Sequence, residues 1–143
     1  MSAVYIIMYI VLAILRMPCP FELEWMEGAM VDHVVWMLAG NPLYPEPSLD
    51  FVPFIYAPIY FYVSAGISWL IGVGFFPLRL VSVLASLGSL VVIFAFVRKE
   101  TLSWQAALLA SGLFAATYEL SDVWFDIARV DSCMSSDNLD IWV

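Results

Sequence analysis

Four stretches of the chain are apolar almost without interruption, and the charged residues are gathered between them. Ser2–Leu15, Phe51–Val73, Leu80–Val97 and Leu102–Tyr118 contain no Asp, Glu, Lys or Arg. At about 1.5 Å of rise per residue, a helix of ~18 residues covers ~27 Å, close to the ~30 Å hydrocarbon core of a bilayer. Inside lipid the backbone must satisfy its own hydrogen bonds, so runs of this length predict helices rather than open strands. A shorter helix is predicted over Leu23–Ala39. Gly40-Asn41-Pro42 stops it, because Gly suits the position just past a helix end and Pro cannot continue the helix. Pro42, Pro45 and Pro47 then predict an extended loop over Asn41–Ser48.

Composition turns these helices into membrane helices. Hydrophobic residues make up 64% of the 143 positions and charged residues 13%. A soluble domain of this size has too high a surface-to-volume ratio to hide so much apolar surface. The net charge of −8 excludes nucleic acid as a partner, since phosphate contacts need Lys and Arg. The N-terminus has no basic stretch and no small-residue cleavage site, which predicts an uncleaved first membrane helix. Cys19 and Cys133 lie far apart and form no metal-binding spacing, so they read as two separate thiols.

Charge sets the orientation. No Lys or Arg lies between Arg16 and Arg79, whereas Glu22, Glu24, Glu27, Asp32, Glu46 and Asp50 all do. The segment after the fourth apolar run is also acidic, with Glu119, Asp122, Asp126 and Asp131 against Arg129. Arg98-Lys99 is the one basic pair, and by the positive-inside rule it marks the cytoplasm. Both acidic segments can lie outside only if Phe51–Val73 does not cross. Pro53 and Pro58 near the start of that run, with Tyr56, Tyr60 and Tyr62, suit a helix held at the interface. The expected fold is therefore an all-α, multi-pass membrane protein with three spans plus interfacial helices in the first extracytoplasmic loop. Four ordinary spans are the alternative.

Two groups of residues could carry chemistry. Glu24 and Glu27, three apart, would sit about 60° apart on one face of a helix. Neighbouring carboxylates repel, which suits one of them to act as a base near neutral pH; the competing reading is a solvated acidic face. Asp32 falls near the same face, and His33 points away as an interfacial residue. The second group is Asp126, Arg129 and Asp131, where an Arg could grip a phosphate through two hydrogen bonds. The competing reading there is an ordinary helix end with Asp131 as the cap of the next helix.

The ordered set Phe21-Glu-Leu-Glu-Trp-Met-Glu-Gly28, Leu38-Ala-Gly-Asn-Pro-Leu-Tyr44, Tyr56-Ala-Pro-Ile-Tyr-Phe-Tyr62, Leu78-Arg-Leu-Val-Ser82 and Phe125-Asp-Ile-Ala-Arg-Val-Asp-Ser132 resembles the N-terminal part of a GT-C glycosyltransferase. The group concerned is that of bacterial proteins related to protein O-mannosyltransferases and lipid A aminoarabinose transferases. The resemblance implies transfer of a sugar from a polyprenyl-phosphate carrier to an acceptor on the outer side of the cell membrane, with two interface helices after the first span. It implies acids in the first loop (Glu24 and Glu27) and in the loop before the fourth span (Asp131) as catalytic residues, with Arg129, Asp126 and Tyr56 as substrate contacts. It implies no identified cofactor and leaves open a divalent metal. Glu27-Gly28 matches the second half of the family's Asp-Glu-Gly/Ala pattern, but Met26 stands where relatives have Asp. Ala57-Pro58 matches its Lys-Pro-Pro segment without the lysine. Residues 1–132 are expected to form this module, and 133–143 a polar tail of the kind a truncation or frameshift leaves, so that the isolated chain transfers no sugar. The alternative from another class is a small structural or partner-binding membrane protein without catalysis.

Overall fold

The computed structural model describes residues 2–24, 26–48 and 51–117. Those residues form five helices and no strand: α1 (Ser2–Arg16), α2 (Glu27–Leu38), α3 (Pro58–Ile71), α4 (Phe75–Thr101) and α5 (Trp104–Ala116). Among them α4, at 27 residues, is the one long and apolar enough to cross a bilayer, whereas α1, α3 and α5 are shorter apolar helices.

Helix ends follow local chemistry. α2 closes in a Schellman arrangement, with the Gly40 N–H donating to Met37 O and the Asn41 N–H to Trp36 O. Gly40 takes φ +86°, a conformation that costs a residue without a Cβ little. α3 begins with Pro58 in its first turn, where no helical N–H is needed, and Phe51–Ala57 ahead of it is non-helical. The apolar run Phe51–Val73 is therefore not one long helix. α4 runs past its apolar stretch at both ends and stops at Leu102 in the left-handed conformation. Ser103 then caps α5, its hydroxyl accepting from the Ala106 N–H.

α4 is shared by two clusters. Along its length it packs against α5, which also packs against α1, with Tyr9, Ala13, Val83, Leu90 and Ala115 buried together. Arg79 bonds the Arg16 carbonyl and the Ser86 hydroxyl bonds that of Tyr9, so α1 runs antiparallel to α4. The Trp104 ring meets Phe94 and the Ser111 hydroxyl donates to Leu90 O, so α5 is also antiparallel to α4. Ser82, Ser86 and Ser89 recur on the buried side of α4, and such small residues let helices approach closely. Gly112 marks the tightest approach: a Cβ there would overlap the Ser2 side chain and sit 2.6 Å from its Cα.

The second cluster sits at the N-terminal end of α4. Met26, Met30, Val34, Leu43, Tyr60, Phe61, Ala65, Leu78 and Val81 are buried in it. The Tyr60 hydroxyl donates to Leu78 O, while Ile71 leads through Gly72-Val73-Gly74 straight into Phe75. Tyr60 and Ile71 are about 16 Å apart along a helix, yet they meet α4 within its first turn. α3 thus lies across the start of α4 rather than along it.

Candidate functional site

Arg79 organises the N-terminal end of α4. It opens the second turn of that helix and is completely buried. A buried guanidinium needs partners for all five N–H groups. Nε donates to Glu27 Oε1 at 2.9 Å and Nη2 to Glu27 Oε2 at 2.6 Å, a bidentate pair. Nη2 also donates to Phe21 O at 2.8 Å. Nη1 donates to Cys19 O at 2.6 Å and to Arg16 O at 3.3 Å. All five donors are used, and the Phe75 ring lies 5.1 Å from the guanidinium carbon.

Glu27 is equally enclosed, with no exposed side-chain surface. Besides Arg79, its Oε2 accepts the Leu23 N–H at 2.7 Å. The turn Arg16–Leu23 is thereby folded over the start of α4 with its carbonyls and amides on one ion pair. Glu24 is placed differently from the helical-face expectation. The helix begins at Glu27, and Glu24 lies in the preceding turn, its Oε2 accepting the Met26 N–H at 3.1 Å. The two carboxylates are thus not a matched pair on one helix face: one is locked on Arg79, and the other is half-buried in the turn. Glu22 is exposed beside Gly28, where a Cβ would overlap its carboxylate.

His33 sits where α2 meets the segment ahead of α3. It is buried, with its ring among Phe51, Phe54 and Phe61 at centroid distances of 4.7, 5.0 and 5.3 Å. Tyr56 is half-buried in the segment before α3, and its carbonyl accepts the Tyr44 hydroxyl. Burial, and then Tyr62 nearby, push the Tyr44 phenol up from its ordinary value. Asp126, Arg129 and Asp131 lie outside the described residues.

Beside the ion pair, a cleft of about 340 Å³ opens between Pro18-Cys19-Pro20 and the α3–α4 turn, walled by Ile71, Phe75 and Phe76 among others. It is apolar apart from backbone and the Cys19 thiol. Among the described residues no group of three or more His, Cys, Asp or Glu could hold a metal ion.

Sequence reasoning placed Arg79 where a span opens but assigned it no partner. The available signal was a lone cation at the head of an apolar run, a position where an unpaired charge is costly and a partner is required. Comparison with protein-family models, with curated proteins and with solved structures finds no match to this chain.

Proposed function

We propose that the chain is the membrane-embedded module of a sugar transferase that draws on a polyprenyl-phosphate donor at the non-cytoplasmic face. In this reading α1, α4 and α5 cross the bilayer, and α2 and α3 lie at its outer boundary. The observation that carries it is the attachment of the acidic loop, through Glu27 and Arg79, to the end of α4 opposite Arg98 and Lys99. That attachment supports an acidic outer face beside a mostly apolar cleft, a setting that matches a donor with a charged head and a long hydrocarbon tail. Glu27 then holds the loop, and the role of base falls to Glu24, with Asp131 as the second acid. Arg129, Asp126 and Tyr56 are the proposed contacts to the donor.

The test is photolabelling in liposomes with a polyprenyl phosphate that carries a photoreactive tail. Labelling is expected at residues 18–20 and 71–76, competed by unlabelled polyprenyl phosphate and not by the phosphate-free polyprenol. Labelling confined to the outer faces of α1 and α5, with no competition, overturns the reading. One observation favours the alternative of a structural membrane protein: every donor of Arg79 and both oxygens of Glu27 are engaged in holding the fold. The same experiment separates the two, because a purely structural protein gives no phosphate-dependent labelling.

A further inference from the structure

His33 is the single histidine of the chain. Both of its ring nitrogens are engaged by backbone groups of opposite kind. Nε2 faces the Phe54 N–H at 2.8 Å. A backbone N–H can only donate, so Nε2 must accept and carry no proton. Nδ1 faces Ala29 O at 2.7 Å. A carbonyl can only accept, so Nδ1 must carry the proton. The two partners fix one neutral tautomer, and that tautomer joins α2 to the segment ahead of α3.

We infer that His33 is a proton-operated latch, closing residues 52–55 onto α2 when its ring is neutral and releasing them when the ring takes up a second proton. Imidazolium donates from both nitrogens. Two N–H groups would then face each other across the His33–Phe54 gap, and the Phe54 amide would lose its acceptor. The ring stays held by the Nδ1 bond to Ala29 O and by stacking on Phe61 of α3, so the segment rather than the ring is the part free to leave. Its two ends are anchored separately. Ser48 and Phe51 bond to each other through Ser48 N to Phe51 O and Phe51 N to Ser48 Oγ. At the far end the Tyr44 hydroxyl holds Tyr56 O. Release therefore lifts the stretch between these anchors and widens the cleft of about 180 Å³ that Ala29, Asp32, His33, Phe51, Val52 and Phe54 already line.

From α2, Asp32 opens onto the same cleft as His33. Residues 51–55 and α3 present phenyl rings and no ionisable side chain to it; Tyr56 is the nearest titratable group on that segment, and Glu27 on α2 is committed to Arg79. Acidification on the side of the membrane that holds this loop is thus the signal, whatever chemistry the rest of the molecule performs.

The test uses the full chain in bicelles with ¹⁵N-labelled histidine, which reports His33 alone. Spin labels at Val52→Cys and Val35→Cys, in a background with Cys19 and Cys133 replaced by Ser, report the gap between segment and helix. At neutral pH the spectrum should show one N–H at Nδ1 and one bare nitrogen at Nε2. On acidification both nitrogens should become N–H, and the spin–spin distance should lengthen along the same titration curve. His33→Gln places an uncharged acceptor near the Nε2 position, so it should keep the short distance at every pH. A proton on Nε2 at neutral pH, or a distance that stays fixed while the ring titrates, overturns the proposal. So does a His33→Gln protein that still opens on acidification, since Asp32, Glu22 or Glu46 would then be responsible.

Discussion

Removing one partner from a buried ion pair leaves a desolvated charge with nothing to balance it, which costs roughly 3–5 kcal/mol. Glu27 and Arg79 are both without exposed side-chain surface, so Glu27→Gln or Arg79→Met should each destabilise the protein by about that amount. Thermal unfolding in detergent, followed by tryptophan fluorescence, measures it. A double variant Glu27→Met/Arg79→Met should recover much of the loss, because two apolar groups of similar volume need no partner. Recovery should be incomplete, since Arg79 also holds the carbonyls of Arg16, Cys19 and Phe21. A Glu27→Gln protein as stable as the parent would show that the pair does not hold the loop. At this scale the sequence was least informative. The Glu24–Glu27 spacing suggests a shared face only if a helix already covers both, and the helix starts at Glu27. The partner that defines Glu27 comes from another element, which no local spacing records.

Helix packing depends on what each side chain must avoid as much as on what it meets. At Gly112 a Cβ would run into Ser2, whereas at Gly66 on α3 nothing lies within 4 Å. Gly112→Ala should therefore push α1 from α5 and cost about 1–3 kcal/mol, as overpacking does. Gly66→Ala should stabilise by up to about 1 kcal/mol through helix propensity alone. Thermal midpoints of the two variants, measured side by side, should move in opposite directions. Elements themselves were largely legible. Each of the four apolar runs overlaps a described helix, because a helix buried in lipid or in other helices needs little beyond an unbroken apolar surface. The boundaries were legible where glycine or proline dictates them, as at Gly40 and Pro58. They fell short at the head of α4, which starts at Phe75, ahead of Arg79 and of the uncharged run from Leu80. They were misplaced again at Phe51–Ala57, whose apolar side chains pack on α2 without being helical.

For the molecule as a whole, the membrane reading makes α3 the deciding element. It crosses the start of α4 instead of accompanying it, which fits a helix at the boundary. Single cysteines at Ser48, Val73 and Glu100, in the background lacking Cys19 and Cys133, should be probed with an impermeant maleimide in intact cells. Positions 48 and 73 should label and position 100 should not, as expected when Arg98-Lys99 face the cytoplasm. A protected position 73 beside a labelled position 48 would restore four spans. The all-helical class was legible in the uncharged apolar runs, whatever their individual boundaries, and the proposed topology rests on charge asymmetry, a property of the whole chain. The Glu27–Arg79 pair has a further consequence, in time rather than space. Its members are 52 residues apart, so at ~5–20 residues per second Glu27 is added to the chain about 3–10 s before Arg79. Throughout that interval Glu27 lacks the Arg79 partner that holds the first loop. The loop must remain open while α2 and α3 emerge, and the arrival of α4 is the event that closes it.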